Sequence, residues 1–511
     1  MTNNSDACTV LIVGGGPVGM CAAIGLRRFG VDCTLVERHA STLDFPKGRG
    51  VSVRSMEIFR EWGLEQELVD VGLPRDESIL AFTGASLLAP EFTRVGLPAT
   101  AAPPSPTDRL ICDQIAMEAV LRRHALEVGV ELRFGTRMTA LAEDAAGVTV
   151  ELSDDDGVTS ALRADWVVGA DGARSLVRER LGITRSGPGS VSHAVSVLFA
   201  ADVGARMMGR TAAIYRIGDL PGGALLAVDN SRRWLLIYAY DPAVDSAATL
   251  TDERCVDMAR TAIGDASVAV QILGTRFWES LALTCDEYRS GRVFLAGDAA
   301  HVVTPIGGLG MNCGVADAHN LAWKLAGVIQ GWAHASLLDS YGPERRPVAL
   351  ATAEASLGPA RPPAPTMGID LGYSYDSAVV LPDGTEPPHV HDPVGEYESS
   401  GRPGGRAPHV WLDTSCTRST LDEFGTGFVV ITDPAGAASA EAAIARSTAT
   451  GIPVRQLVPP DEAWREVYGV AAGGGVIVRP DGHIAWRSRG RLESSGEHVG
   501  AALLAAVARL G

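Results

Sequence analysis

The 511-residue sequence predicts an α/β fold that is divided into more than one domain. The first observation is a β-strand, a glycine-rich turn, a helix and a second strand over Val10–Glu37. The second is a series of β-branched and aromatic runs within Val191–Ile272, which predicts a separate, mostly antiparallel sheet. The third is a compact alternation of strand and helix patterns after Gly427. We therefore expect a Rossmann-type domain with a β-rich insertion, followed by a smaller C-terminal domain.

The glycine-rich turn has the spacing of a dinucleotide-binding site. Thr9–Val13 is typical of a buried strand and Met20–Phe29 of a helix, and the G-x-G-x-x-G pattern lies between them. These glycines permit a tight turn, a close approach of the backbone to a pyrophosphate and close packing of helix on strand. Glu37 ends the next strand, where a carboxylate accepts a hydrogen bond from a ribose hydroxyl. The residues of the turn are Gly14, Gly16, Pro17, Val18 and Gly19.

Two later motifs indicate which dinucleotide is bound. The first is Trp166–Ser175, which contains Asp171-Gly172, and the second is Gly291–His301, which contains Gly297-Asp298 and continues to Asn312. With the glycine turn, these motifs resemble those of class A flavoprotein monooxygenases of the aromatic polyketide hydroxylase type. The resemblance covers residues 8–355 and implies a para-hydroxybenzoate-hydroxylase-like fold that binds FAD.

The C-terminal part resembles the thioredoxin-like domain that this subgroup carries. The matching segments are Pro403–His409 and Val478–Arg487. The tail has one cysteine, Cys416, and lacks a C-x-x-C motif, so disulfide exchange is excluded there. The predicted division is an FAD domain at 1–180 and 276–370, a substrate-binding sheet at 181–275, a linker at 371–402 and the thioredoxin-like domain at 403–511.

The resemblance also implies roles for individual residues around FAD. Arg38 would flank the adenine or ribose, and Arg49 would lie near the flavin as cofactor ligand and candidate catalytic residue. Gln114 would contact the flavin side of the cofactor, and Asp171 would serve FAD directly or brace the backbone. Asp298 follows a buried strand, where a carboxylate can accept from a ribityl hydroxyl. The isoalloxazine would be wrapped by Pro305, Gly307, Gly310, Met311 and Asn312.

The implied reaction consumes a nicotinamide and O2. The chain has one Rossmann phosphate turn, so NADPH or NADH would visit transiently and reduce the flavin. Oxygen would then form a flavin C4a-hydroperoxide that hydroxylates an aromatic polycyclic polyketide in antibiotic biosynthesis. The sequence does not identify a catalytic base. Residues expected to line the substrate pocket in the β-rich segment are Tyr215, Trp234, Tyr238, Tyr240 and Trp278.

Two other functions stay open from the motifs. A Baeyer–Villiger oxygenase would insert oxygen beside a ketone of a polyketide on the same scaffold, and product NMR would show ring expansion. A non-catalytic flavin-binding or assembly protein would use the C-terminal domain for interaction, and NADPH would then fail to bleach its flavin band. The glycine turn, Asp298 and Pro305–Asn312 argue against that last alternative.

Composition narrows the class of partner and the compartment. The net charge of −17 disfavours nucleic acid and anionic membranes as partners. The eight cysteines show no metal-binding spacing, so we expect no metal site. The N-terminus lacks an apolar signal region and no run reaches the roughly 18 apolar residues of a membrane span. We expect a cytoplasmic protein, either a monomer or a homodimer.

Overall fold

The computed structural model describes residues 6–42, 44–78, 80–96, 104–358 and 366–509. The strands in these ranges are β1 (Asp6–Val13), β2 (Cys33–Glu37), β3 (Gly50–Val51), β4 (Leu80–Gly84), β5 (Phe92–Gly96), β6 (Leu110–Ile111), β7 (Glu131–Phe134), β8 (Thr136–Asp144), β9 (Gly147–Asp154), β10 (Thr159–Gly169), β11 (Arg185–Ala200), β12 (Ile214–Ile217), β13 (Gly223–Ala227), β14 (Arg233–Tyr240), β15 (Gln271–Cys285), β16 (Arg289–Ser290), β17 (Val293–Leu295), β18 (His301–Val302), β19 (Phe428–Thr432), β20 (Val454–Leu457), β21 (Gly475–Val478) and β22 (Ile484–Ser488).

The helices lie mostly between these strands. They are α1 (Pro17–Arg28), α2 (Val53–Glu61), α3 (Glu65–Val71), α4 (Arg75–Ser78), α5 (Gln114–Glu127), α6 (Leu176–Arg180), α7 (Asp252–Ile263), α8 (Leu309–Ile329), α9 (Tyr341–Leu357), α10 (Met367–Leu371), α11 (Ala437–Thr448), α12 (Ala463–Tyr468) and α13 (Glu497–Ala506). No helix of the described ranges combines the length and apolar character that a membrane crossing requires.

The first sheet confirms the predicted α/β class. Its central order is β16-β17-β10-β1-β2-β7, and β1 is parallel to both β2 and β10. Val10–Val13 is buried on both faces, as expected of a strand in the middle of a parallel sheet. Helix α8 packs beside α1, and its side chains are buried from Asn312 to Gly327. The carboxyl ends of β1, β2, β10 and β17 therefore meet along one edge.

The second sheet has the order β18-β15-β11-β14-β13-β12-β4-β5. Helix α7 covers one face, which we call the outer face, and its side chains pack there with Val195, Val197 and Phe199 of β11. The opposite, inner face carries Leu198 and Leu235, which pack against Phe45 from the first domain. The sheet is thus apolar on both faces.

Two features of this sheet bear on the predicted domain division. Strands β4 and β5 join the second sheet although they lie within 1–180, and the boundary at 275/276 falls inside β15. The division therefore stays a proposal, to be amended at these strands. Moreover, β18 pairs with β15 through Leu283–Val302 and Thr284–His301. The second sheet thus continues into the segment that follows Asp298.

The C-terminal domain has the strand order β20-β19-β21-β22. β19 is parallel to β20 and antiparallel to β21, which is the arrangement of a thioredoxin-like core. The turn before α11 contains Asp433, whose carboxylate accepts from Gly473 N at 2.8 Å and pairs with Arg465 at 3.0 Å. An ion pair and backbone hydrogen bonds thus hold the turn that begins the first helix of this domain.

The eight cysteines are all free. Six are buried, Cys8 is half-buried and Cys416 is exposed. Burial raises the pKa of the Cys33 and Cys112 thiols to about 12. Only Cys416 is therefore freely accessible to solvent.

Candidate functional site

The glycine turn between β1 and α1 is shaped by close contacts. Gly14 has a φ of +117°, and a Cβ there would overlap the carbonyl oxygen of Ala170 at the end of β10. A Cβ on Gly19 would overlap the carbonyl oxygen of Gly14, whereas one on Gly16 would meet nothing within 4 Å. The first and third glycines therefore serve packing, and the second leaves the backbone open to a ligand. The N–H groups of the first turn of α1 face that opening, as a pyrophosphate requires.

Pro17 and Val18 begin α1, and Val18 links the turn to the rest of the site. A Cβ on Gly297 or Gly314 would lie 2.8 or 2.6 Å from Val18 Cγ2. The glycine turn, the segment of Asp298 and helix α8 therefore pack against one another through one valine. Three motifs that lie far apart in the sequence form one cleft.

Glu37 lies at the carboxyl end of β2 beside the glycine turn. Its carboxylate accepts from Gly15 N at 2.7 Å and from His39 N at 2.9 Å. These bonds fix its position and leave further lone pairs for ribose hydroxyls. The neighbouring Arg38 is exposed, and its Nε donates to His39 Nε2 at 3.3 Å.

Asp298 provides the test of whether the cleft fits a dinucleotide. It lies in the 3-10 turn Gly297–Ala299 after β17, and its side chain is exposed in the cleft. The surrounding protein still desolvates the carboxyl and raises its pKa, although His301 and Lys47 oppose this. The described residues give this carboxylate no hydrogen-bond donor. A carboxylate that faces the cleft with its lone pairs unused is free to accept from a ligand, and a ribityl hydroxyl of FAD would supply such a donor.

The segment Pro305–Gly308 is exposed and leads directly into α8. Gly307 and Gly308 have φ values of +81° and +68°, so the left-handed backbone requires glycine at both positions. Gly310 lies against Val303, where a Cβ would approach Val303 Cγ2 to 2.9 Å. The N-terminus of a 21-residue helix therefore faces the cleft, and its dipole favours negative charge there.

Asn312 has a different role from the one that was predicted. Its Oδ1 accepts from Ser52 N at 2.9 Å and from Ser55 Oγ at 2.7 Å. Its Nδ2 donates to the carbonyl oxygens of Gly50 and Gly308 at 2.9 and 2.8 Å. The side-chain amide is fully used within the protein, so contact of this side chain with the cofactor is not supported. It joins the start of α8 to the start of α2.

Arg49 also points elsewhere than expected. Its guanidinium is buried and donates to the carbonyl oxygens of Ala213, at 3.3 Å, and of Ala227. Both acceptors belong to the second sheet or its edge. Burial lowers the pKa of Arg49 to about 10, although Asp113 opposes this. The guanidinium is therefore engaged by the protein, which does not support its predicted place at the flavin, and Arg49 links the segment before β3 to the second sheet.

Gln114 and Asp171 act on the backbone. Gln114 Oε1 accepts from Gly48 N at 2.7 Å, and the Cβ position of Gly48 lies 3.5 Å from the sulfur of Met311. Asp171 accepts from the hydroxyl of Ser175 and, at 3.0 Å, from Val177 N at the start of α6. Burial raises the pKa of the Asp171 carboxyl. Of the two alternatives for Asp171, this geometry favours bracing over direct contact.

The predicted pocket aromatics divide between the two faces of the second sheet. Tyr215 and Trp234 are buried on the outer face, where Tyr215 donates to Asn230 Oδ1 at 2.7 Å and Trp234 donates to Ala201 O at 3.2 Å. Tyr238 and Tyr240 pack against the same cluster. The prediction that Tyr215 and Trp234 line the pocket is therefore wrong, because α7 covers them.

Trp278 lies on the inner face instead. Its Nε1 donates to Ser196 Oγ at 2.9 Å, and Ser196 pairs with Ile237 across the sheet. Cross-strand partners share a face, so Ile237 also lies on the inner face. Both faces of this sheet are apolar, so its strands lack the alternation of apolar and polar residues that would have shown which way Ile237 points. Sequence reasoning therefore missed Ile237.

A buried polar cluster behind Asp298 was also missed. Asp317 accepts from Gly297 N at 3.0 Å, pairs with His301 Nε2 at 2.7 Å and pairs with Arg345 Nε at 2.7 Å. Burial opposes ionisation, yet His301 and Arg345 lower the pKa of Asp317 to about 2. His301 thus has a buried structural partner. Ligand atoms of His301, Cys313 and Asp317 lie within 4.8 Å of one another, but the guanidinium of Arg345 already occupies Asp317.

Comparison with known proteins agrees with this geometry. Residues 7–356 match the family model described as FAD binding domain, and residues 400–509 match that of aromatic-ring hydroxylase, C-terminal. The chain is 37% identical to the tetracenomycin A2 monooxygenase-dioxygenase of Streptomyces glaucescens, over 99% of this chain and 98% of that one.

Two solved structures are similar over the full length. The flavin-dependent monooxygenase PieE, in complex with FAD and substrate, matches with a TM-score of 0.90 and 30% identity, covering 99% of this chain and 100% of that one. Aklavinone-11 hydroxylase, in a ternary complex with FAD and aklavinone, matches with a TM-score of 0.87 and 33% identity at the same coverage. The chain therefore belongs to the class A flavoprotein monooxygenases and is an FAD-dependent enzyme of that family.

Proposed function

We propose that the chain hydroxylates a polycyclic aromatic polyketide, with NADPH or NADH as the electron donor. The relatives support this substrate class, since one is named for tetracenomycin A2 and another was solved with aklavinone. The similarity to each extends over nearly the whole chain, so the substrate sheet is included in it.

The observation that carries the proposal is the pairing of β18 with β15. β18 begins three residues after Asp298, and its hydrogen bonds make it the last strand of the second sheet. The turn assigned to the ribityl chain and the sheet assigned to the substrate are thus parts of one hydrogen-bonded layer. A molecule that lies on the inner face near β15 would lie beside the flavin.

The inner face has the chemistry to hold fused aromatic rings. It carries Ile237 and the ring of Trp278, beside Leu198 and Leu235, which pack against Phe45, and its Ser196 hydroxyl accepts from the Trp278 indole. Apolar walls with few polar groups favour a flat, largely apolar ligand whose orientation a few hydrogen bonds fix.

The residues of this chain would bind FAD, orient the substrate and shield the reacting ring from water. Bound FAD supplies hydride acceptance and oxygen activation. The start of α1 and Glu37 would hold the ADP half, and Asp298 would accept from the ribityl chain. The dipole of α8 would stabilise negative charge at the flavin edge, and the second sheet would keep water from the reacting ring.

The test is anaerobic reduction of the FAD-loaded enzyme by NADPH and by NADH, with and without fused-ring phenols. We expect a tetracyclic or anthraquinone-type phenol to accelerate bleaching of the flavin band, and its aerobic product to gain one oxygen as a hydroxyl by NMR. Ring expansion in that product would instead assign Baeyer–Villiger chemistry. No acceleration by any fused-ring phenol, with turnover of a monocyclic phenol, would refute the substrate class.

A pair of variants locates the pocket. Trp278→Ala should weaken the response to the phenol, because it removes a ring from the inner face. Tyr238→Phe is the matched control on the outer face and should leave the response unchanged. A weaker response in Tyr238→Phe with an unchanged response in Trp278→Ala would place the substrate on the outer face and contradict the proposed pocket.

A further inference from the structure

The C-terminal domain meets the FAD-binding domain through a buried group of charges, which we call the interface cluster. It consists of Lys324 on α8, Glu344 on α9, and Arg479 and Asp481 from the turn between β21 and β22. Each of these side chains is at most 1% exposed. Arg479 binds Glu344 in bidentate fashion, at 2.7 and 2.8 Å, and Lys324 binds Glu344 at 2.7 Å.

Helix α8 adds neutral donors to this cluster. Asn320 Nδ2 and Trp323 Nε1 each donate to Asp481 Oδ2 at 3.1 Å. Two cations and two anions are thus balanced with no solvent contact. Although burial opposes ionisation, Arg479 and Lys324 lower the pKa of Glu344. Buried ion pairs add little stability over apolar packing, but removing one partner is strongly unfavourable, so these four side chains resist displacement from one another.

Arg345, the residue after Glu344 on α9, makes its contacts inside the FAD-binding domain. Arg345 donates to Asp317 Oδ1 at 2.7 Å and to the carbonyl oxygen of Cys313 at 3.0 Å. Asp317 in turn holds Gly297 N at 3.0 Å, next to Asp298. Two consecutive side chains of α9 therefore connect the C-terminal domain with the turn that carries the cofactor carboxylate.

A second contact reaches the same region through α2. Arg406 of the C-terminal domain binds Glu57 on α2 at 2.9 Å, and Arg54 on α2 donates to the carbonyl oxygen of Asp481 at 2.6 Å. The residue that caps α2, Ser52, donates through its N–H to Asn312 at the start of α8. Both connections end on the segments that border the FAD cleft.

We infer that the C-terminal domain is part of the FAD-binding apparatus, and that Arg479 is a positioning residue for FAD. Arg479 fixes Glu344, and through α9 and Asp317 it fixes the turn of Asp298. The domain thus keeps its thioredoxin-like fold without a redox motif because its task is to hold α8 and α9 in register.

The test compares two arginines of the same domain, the buried Arg479 and the half-buried Arg465. Arg479→Met and Arg479→Lys remove the bidentate contact, whereas Arg465→Met removes the pair with Asp433, which lies within the C-terminal domain. We expect both Arg479 variants to weaken FAD binding by about 3- to 30-fold. We expect Arg465→Met to lower the Tm without changing the Kd of FAD.

The measurements are the Kd from FAD fluorescence, the shape of the visible flavin band and the Tm of the apoprotein. Arg479→Lys keeps the charge, so it decides the question if Arg479→Met fails to fold. A Kd within twofold of wild type in a folded Arg479 variant would overturn the inference, and so would equal weakening in Arg465→Met. None of these three measurements depends on the substrate, so failure here is separate from failure of the proposed hydroxylation.

Discussion

Asp298→Ala separates cofactor binding from folding. The Asp298 carboxylate has no protein donor in the described part of the chain, and desolvation raises its pKa. Asp171 is the matched control, because it also follows a strand of the first sheet and burial also raises its pKa, yet it accepts from Ser175 and Val177. Asp171→Ala should therefore destabilise the apoprotein, whereas Asp298→Ala should not.

The magnitudes follow from these contacts. A hydrogen bond to a charged group contributes about 1.5–3 kcal/mol, so loss of the bond from a ribityl hydroxyl should raise the Kd of FAD by about 10- to 150-fold. The apoprotein loses no bond in Asp298→Ala, so its free energy of unfolding should stay the same or rise. Asp171→Ala removes the acceptor of Val177 N in the first turn of α6 and of the hydroxyl of Ser175, the N-cap residue, and should lower the free energy of unfolding by about 1–2 kcal/mol.

Fluorescence titration with FAD and urea unfolding of the apoprotein give both quantities. Asp298→Asn, which keeps an acceptor oxygen, should lie between wild type and Asp298→Ala in FAD affinity. Retention of full FAD affinity by Asp298→Ala would refute the role given to this carboxylate. A large loss of apoprotein stability in the same variant would show that a protein contact holds the side chain.

Three further predictions concern the turn, the sheet and pH. Gly19→Ala should yield protein without flavin colour, because the added methyl group would overlap the backbone of the turn. Gly16→Ala, whose methyl group meets nothing within 4 Å, should keep the Tm of the apoprotein and only weaken FAD binding. Absorption spectra and thermal melts distinguish the two variants. Tyr215→Phe should lower the free energy of unfolding in urea by about 1–2 kcal/mol because the hydrogen bond to Asn230 is lost, and product formation should be unchanged. Lost turnover at normal stability would contradict the position of Tyr215 on the outer face. Burial lowers the pKa of His483 to about 4, so the unfolded chain takes up a proton at a higher pH than the folded protein does. The free energy of unfolding should therefore fall by about 2 kcal/mol as the pH is lowered from 6.5 to 4.5. Urea titrations at several pH values measure this fall, and it should be smaller in His483→Gln.

The local motifs could be predicted from sequence because their cause is local. The turn at Gly14–Gly19 and the strand that ends at Glu37 follow from steric limits within a few residues. The helix of Met20–Phe29 and the strand of Arg233–Tyr240 are confirmed within a few residues of their expected ends. Asp298 was predicted to follow a buried strand, and it lies in the turn shortly after β17.

The directions of the side chains were harder to predict, because they depend on contacts with residues that are distant in sequence. Trp234 and Leu235 are both apolar and both buried, so alternation could not show which of them faces α7. Arg49 was assigned by motif position, but its acceptors lie more than 160 residues away. The partners Arg479 and Glu344 are 135 residues apart, and composition alone would place both on the surface.

The distribution of thiols makes this chain convenient for spectroscopy. Cys416 is exposed on the C-terminal domain, while the other cysteines are buried or half-buried and lie in the remainder of the molecule. A maleimide dye should therefore attach at one position without any cysteine being removed. Since the flavin itself absorbs and emits visible light, energy transfer between it and the dye would report the separation of the C-terminal domain from the cofactor during turnover.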